Sequence, residues 1–421
     1  MLVHQSLLSI LVLAVVLVLV SARGLWRRPP PIWGVLLAGA VAVVLLGQIS
    51  LHQAVAAIDW HIMGFLFGSF ILATHLEHSG VIEKIAARFF YQASAPAVLT
   101  RLVFFCGLSS ALLMNDTLAI VGIPIILNIT TRHPTIRPIL LLALAYSVTI
   151  GSVMSPIGNP QNLLIASSSG IHNPVLTFLL YLAVPTLLSL YGLTWLLRWQ
   201  FATALKSSQL AAHTVTAGDI NSLSQTKKLT YFSSSIFLSL IFLMLLSECL
   251  NFWLPLDFSG IALLAAAPIL LFSPDRRTIL RSIDWGTLLF FIGLFVLVKS
   301  VWLSGVMQTA IARMSHIDSV PVIFLIASLG SQIISNVPLV ALYVPLLHQV
   351  SATAISFMAL ACASSLAGNL FLFGAASNVI IQQNMEARGL SGFNVWQFTR
   401  LGVMLTLPQL IIYGGYFYLF R

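Results

Sequence analysis

Charge is what this sequence has least of. Asp, Glu, Lys and Arg together make up 7% of its 421 residues, against about 25% in an ordinary soluble domain. With 59% hydrophobic residues, a water-soluble globular surface is excluded. Cysteine is also scarce. Cys106, Cys249 and Cys362 each sit in apolar sequence without CxxC spacing, which excludes a disulfide framework and reads as buried free thiols. Histidines are scattered, no metal-ligand cluster is present and no nucleophile–base pair is evident, so the chain reads as neither an enzyme nor a cofactor protein. A Walker A sequence and a glycine-rich dinucleotide fingerprint are both missing, which argues against ATP-driven work by this chain. The net charge of +9 is spread through short loops. That is the pattern of cytoplasmic loops between membrane spans, not of a nucleic-acid face.

What is present is a series of apolar runs near the roughly 20 residues a bilayer core requires. They cover 2–22, 31–50, 61–82, 138–157 and 174–197, then 229–250, 258–273, 286–304, 352–372 and 398–420. The first lacks a positive n-region and exceeds a signal-peptide core, so it is expected to be a retained helix. With an external N-terminus, Arg23, Arg27, Arg28, Lys84, Arg88, Arg101, Arg132, Arg137, Arg198, Lys206, Lys227, Lys228, Arg276, Arg277, Arg281, Arg388 and Arg400 fall inside, while Arg313 and Arg421 fall outside. This satisfies the positive-inside rule.

Two polar islands interrupt the pattern. Ser110-Ala-Leu-Leu-Met-Asn115-Asp116-Thr117 runs on to Pro124, and Ser331-Gln-Ile-Ile-Ser-Asn336-Val337-Pro338 runs on to Pro345. Serine, asparagine and proline match at an offset of 221. Upstream, Asp59-Trp60, Gly68, Gly80 and Arg88 match Asp284-Trp285, Gly293, Gly305 and Arg313 at 225, and downstream Gly158 and Asn162 match Gly374 and Asn378 at 216. The chain is therefore expected to contain two copies of one unit, 1–198 and 229–421, joined by a cytoplasmic linker at 199–228. Each copy has five spans plus a re-entrant hairpin, at about 94–130 and about 318–350. Five is odd, so the second copy enters the membrane from the opposite side. The predicted fold class is an all-α polytopic membrane protein of two inverted-topology repeats with interrupted helices at the centre, the plan of a secondary transporter.

The chemistry is expected at the interruptions. Asn115, Asp116 and Thr117 offer amide, carboxylate and hydroxyl in succession, and a carboxylate in the membrane must be paired or protonated. Gly158, Asn159, Pro160 and Asn162 form a turn inside an apolar segment, where a half-helix N-terminus attracts an anion. The second copy supplies Ser335, Asn336, Gly374, Ser377 and Asn378 but no carboxylate, so coupling is assigned to Asp116. His75 and Glu77 could add a proton relay, although a solvated helix end explains them more simply. Lys299 is read either as an interfacial anchor or as an attractor of anions. Sodium is a candidate ligand at Asn115, Asp116, Asn159, Asn336 and Asn378.

Met114-Asn115-Asp116-Thr117, followed by Pro156-Ile157-Gly158-Asn159-Pro160-Gln161-Asn162, resembles the arsenite permease and sodium/proton antiporter branch of the ion transporter superfamily, which has a citrate-transporter-like domain. More distantly the chain is similar to the divalent anion/sodium symporters. The resemblance implies hairpins meeting at the bilayer centre, a homodimeric scaffold and a moving transport part. It also implies a multi-pass protein of the cell membrane, the inner membrane in bacteria, surrounded by lipid and without a nucleic-acid partner. The expected function is alternating-access transport of a small inorganic anion or oxyacid, arsenite-like or related, coupled to protons or sodium by symport or antiport. The alternatives are a sodium/proton antiporter and a sodium-coupled dicarboxylate or citrate transporter.

Overall fold

A computed structural model describes residues 2–21, 30–81, 84, 88–90, 93–131, 133–207, 225–306, 316–390 and 392–420. Arg23, Arg27, Arg28, Arg132, Arg313, Arg421 and linker positions 208–224 lie outside the described residues. The described residues are helical throughout their ordered elements, with no strand among them. Six helices are long and apolar enough to cross a membrane, and six shorter apolar helices accompany them.

Several helices of the second half match helices of the first in length and order. Trp60–His78 and Trp285–Leu303 have equal length, and their N-cap aspartates, Asp59 and Asp284, each accept from backbone amides of the first turn. Ala95–Leu113 and Asn115–Ile129 pack together as one hairpin; Val320–Ile334 and Asn336–Gln349 pack as another. Each distal arm contains its matched proline, Pro124 or Pro345. At about 1.5 Å per residue, the 15-residue Asn115–Ile129 arm reaches only about 22 Å, short of a bilayer core of about 30 Å. An arm of that length suits a hairpin that turns back.

Both hairpins break at one residue with the same unusual backbone. Met114 has φ 63° and ψ 143°; Ser335 has φ 69° and ψ 159°. A side chain at positive φ is disfavoured, so packing on both sides must hold the break. Beyond each hairpin, a helix stops and restarts. Arg137–Ser152 resumes as Pro160–Ser168, and Ala354–Ala367 resumes as Ala376–Ala387. Pro174–Gln200 and Val395–Tyr418 close the two halves.

The halves exchange partners. Trp60–His78 packs on Phe258–Phe272, and Trp285–Leu303 packs on Ile32–Leu45. The matched glycines allow both contacts. A methyl group on Gly68 would lie 2.6 Å from the Ala262 carbonyl carbon, and one on Gly293 would lie 2.8 Å from that of Leu36. Backbone-to-backbone approach of this kind is how helices associate where lipid provides no hydrophobic driving force. Arg137–Ser152 and Ala354–Ala367 are buried on nearly all sides. Outer helices turn Leu187, Tyr191, Trp195 and Trp199 outward, as a lipid-facing surface requires.

Two sequence expectations need correction. Cys106 and Cys362 are buried, but Cys249 is exposed, because it faces away from the bundle near the end of Gln225–Leu250. His75 is buried, whereas Glu77 and His78 are exposed. At that end of the helix exposure is limited to one side of the last turn; in the same turn the His75 ring points back into the packing.

Candidate functional site

Four helix N-termini converge where the hairpins meet the interrupted helices. The first tip docks on the first break, with the Asn115 amide donating to the Gly158 carbonyl at 2.9 Å. The second tip docks on the second break, with Gln332 Nε2 donating to the Ala367 carbonyl at 2.7 Å. Packing then crosses between halves. Asn115–Ile129 lies on Ala376–Ala387, and Asn336–Gln349 lies on Pro160–Ser168. The helices beginning at Asn115, Asn336 and Ala376 have no side-chain cap. Only Pro160–Ser168 has one, Asn159, whose side chain accepts from the Asn162 amide at 2.9 Å. Uncapped N-termini present partial positive charge and amide donors.

The first break is internally satisfied. Asn159 Nδ2 donates to Ser152 Oγ at 3.0 Å and Ser365 Oγ at 3.1 Å. Asn162 Nδ2 donates to the carbonyls of Ser152, Val153 and Ser155 at 3.0–3.1 Å. Gln161 Nε2 reaches Ser365 Oγ at 3.2 Å. The Asn115 side-chain oxygen is also engaged, by the Asp116 amide at 3.0 Å. Asn115, Asn159 and Asn162 therefore build the scaffold of the site, their polar atoms being largely committed. Pro160 supplies the first turn of its half-helix, and Thr117 is buried beside Asp116.

The second half is different. Asn378 Nδ2 donates to the Gly368 carbonyl at 2.9 Å. Asn378 Oδ1, Asn336 Oδ1, Gln332 Oε1, Ser331 Oγ, Ser377 Oγ and both polar atoms of Asn369 are buried without a hydrogen-bond partner among the described residues, and so is Asp116 Oδ1. Buried polar atoms are nearly always paired, so such a concentration marks a place for water, an ion or a substrate. Asp116 comes from the first half but faces the Ser377 amide, at the N-terminus of Ala376–Ala387. Its carboxylate thus supplies the second half with the acid its own sequence lacks. Ser335 forms the hairpin break itself, and Gly374 lies against Gln332.

His75, Glu77 and Lys299 are not part of this hydrogen-bonded constellation. Ser365 and Gln332 are, and motif matching misses them; Asn369, a polar residue just before the second turn in the sequence, stands among the unpaired groups. Ser365 stands one helical turn before a break, a position where a small polar residue in an apolar helix is the only sequence signal. Ser365→Ala should leave amide hydrogens of Asn159 and Gln161 unpaired and cost about 1–3 kcal/mol, which thermal unfolding in detergent will read.

A separate cavity lies elsewhere. About 670 Å³ opens beside Asp59, Glu248 and Asp257, but each of those carboxylates caps a helix. Glu248 accepts from the Val175 and Leu176 amides at 3.3 and 2.7 Å, Asp257 from Gly260 at 2.8 Å and Asp59 from His61 at 3.0 Å. Its acids are structural.

The citrate transporter family model matches residues 15–357. The chain belongs to that family. Among curated relatives, an uncharacterised transporter of Mycobacterium tuberculosis is 28% identical, covering 86% of this chain and 87% of its own. The inner membrane protein YbiR of Escherichia coli is 30% identical over 69% of this chain and 73% of its own. A protein of Oryza sativa named silicon efflux transporter LSI3 is 26% identical over 88% and 89%. The crystal structure of the Alcanivorax borkumensis YdaH transporter, at 13% identity, superposes with a TM-score of 0.57 over 97% of this chain and 96% of that one, which establishes a shared fold. The protein is a multi-pass membrane transporter, and its family and relatives are transporters rather than enzymes.

Proposed function

We propose that this transporter moves a small inorganic anion or oxyacid by alternating access, and that protonation of Asp116 couples the movement to the proton gradient. The observation that carries this is the meeting of four helix N-termini, three without side-chain caps, around one membrane-embedded carboxylate. Helix N-termini bind anions. With Asp116 ionised, the carboxylate itself occupies that positive field and repels a second anion. With Asp116 protonated, the field is free and its amides can hold substrate. Proton and anion therefore favour each other's binding, as thermodynamic linkage requires, and symport is the coupled mode this supports. The relative named for silicon efflux supports extending the substrate class to weakly acidic oxyacids.

A second reading has its own observation. The unpaired oxygens of Asn378, next to the Ser377 that Asp116 faces, and of Asn336 at the second hairpin tip suit sodium, which would neutralise the carboxylate as a proton does. Proteoliposomes loaded with arsenite, silicate, phosphate, sulfate or citrate, under separately imposed pH and sodium gradients, distinguish these. Accumulation of an inorganic oxyanion driven by the pH gradient alone is expected. Drive by sodium alone selects the second reading. Citrate accumulation with no inorganic flux would overturn the substrate class.

A further inference from the structure

We infer that Lys299 forms an anion-collecting vestibule, separate from the hydrogen-bonded centre, on the face of the protein to which Asp59 belongs. The inference deepens the anion reading and rests on it for its role in transport. Lys299 lies one turn before the end of Trp285–Leu303. It lines a cavity of about 290 Å³ together with Leu164 and Ser168 of the first interrupted helix, Val344 and Pro345 of the second hairpin, and Trp302. The cavity thus lies where the exchanged helix meets two of the elements that build the centre, along the later turns of Pro160–Ser168 and Asn336–Gln349, whose N-termini belong to that centre.

Lys299 is exposed, and among the described residues it makes no hydrogen bond or ion pair. Among the described residues Asp59 is the sole carboxylate lining the cavity, and one of its oxygens already accepts from the His61 and Ile62 amides. Most of the remaining lining is apolar: Ala57, Leu164, Phe295, Val298, Ala341, Val344 and Pro345. Low-dielectric walls around one cation focus its field and raise the local concentration of anions.

The repeat makes the feature one-sided. At the offset of 225, the position matching Lys299 is Thr74, which is buried and uncharged. The two matched positions therefore differ by a positive charge. The Lys299 path favours a singly charged oxyanion or halide-sized anion over the neutral acid.

Trp302 in the cavity wall provides a readout independent of transport. In purified full-length protein, fluorescence of Trp302 is obtained by difference from Trp302→Phe and quenched with iodide or with neutral acrylamide. Lys299→Gln should lower the iodide quenching constant by about threefold, the effect of one unit charge roughly 6 Å away in a wet site, and leave acrylamide quenching unchanged. Lys299→Arg should restore it, and added sulfate should compete with iodide in the wild type only. In proteoliposomes, Lys299→Gln should raise KM for the anion about threefold from the Asp59 face, with kcat kept. Iodide quenching that is equal in wild type and Lys299→Gln overturns the vestibule, whatever the protein transports. Iodide selectivity that depends on Lys299, in a protein that moves no anion, keeps the vestibule and removes the transport reading beneath it.

Discussion

Asp116→Asn should uncouple the transporter without emptying its site. Asparagine has nearly the shape of a protonated aspartate, so the helix N-termini around it remain open to the anion at every pH. Gradient-driven accumulation should fall by about 100-fold, which corresponds to roughly 2.7 kcal/mol at 1.36 kcal/mol per tenfold. Exchange of labelled for unlabelled anion, which needs no net proton movement, should persist and lose its pH dependence. The sign follows from the chemistry. In the wild type, anion affinity should fall as pH rises, because deprotonation places a competing negative charge among the amides; in the variant the dependence disappears. Accumulation and pH dependence that survive together in a folded variant would remove Asp116 from coupling. Asp116→Ala is a weaker test, because it also removes the contact with the Ser377 amide.

Gly151→Ala should be among the most damaging single methyl additions in the chain. The new Cβ would stand 1.9 Å from the Gly107 carbonyl oxygen, where backbone meets backbone and no side chain can swing aside. Arg137–Ser152 and Ala95–Leu113 would have to separate, which displaces the hairpin tip from its hydrogen bond to Gly158. A penalty of at least about 4 kcal/mol is expected, at the exceptional end for a point change. Gly192→Ala is the control. Gly192 lies within Pro174–Gln200, with nothing within 4 Å of a Cβ. There alanine should be neutral or stabilise by up to about 1 kcal/mol through helix propensity. Melting temperatures in detergent and the monodisperse yield compare the two. Equal stability of the two variants would mean that the close packing of hairpin and interrupted helix is wrong.

Much of the fold could be read from the sequence because a bilayer imposes a simple rule. Apolar runs of span length became helices within a few residues of the expected ends, and polar groups inside them marked the interruptions. The duplicated Asn115 and Asn336 islands located both hairpin breaks, even though the breaking residues, Met114 and Ser335, have none of the glycine character that announces positive φ. Helices Leu51–Ala56 and Arg276–Ser282 were not legible, since six or seven residues are too few to show a period. The partners within the site were hidden for a different reason. Ser365 joins Asn159 across more than 200 residues of sequence, and Gln332 reaches the Ala367 carbonyl through tertiary packing alone. No local pattern encodes either contact.

The asymmetry of the site was half legible. One carboxylate in two matched islands is a sequence fact. That the carboxylate of the first half stands at a helix N-terminus of the second is a consequence of how the halves cross. The same crossing explains why the first break is satisfied while the second holds unpaired oxygens. The first has Asn159, Gln161 and Asn162 to bind its own carbonyls and Ser365. In the second, alanines stand at positions 375 and 376, and its remaining asparagine leaves Oδ1 free.

The most direct measurement is a density map of the protein with an anomalously scattering oxyanion, arsenate or selenate, at a pH low enough to protonate Asp116. Density is expected between the hairpin tips, about 2.7–3.1 Å from backbone amides at the starts of Asn336–Gln349 and Ala376–Ala387, and it should weaken as pH is raised. An oxyanion that binds elsewhere while these four helix ends stay empty, or one whose occupancy there rises with pH, would contradict the central site.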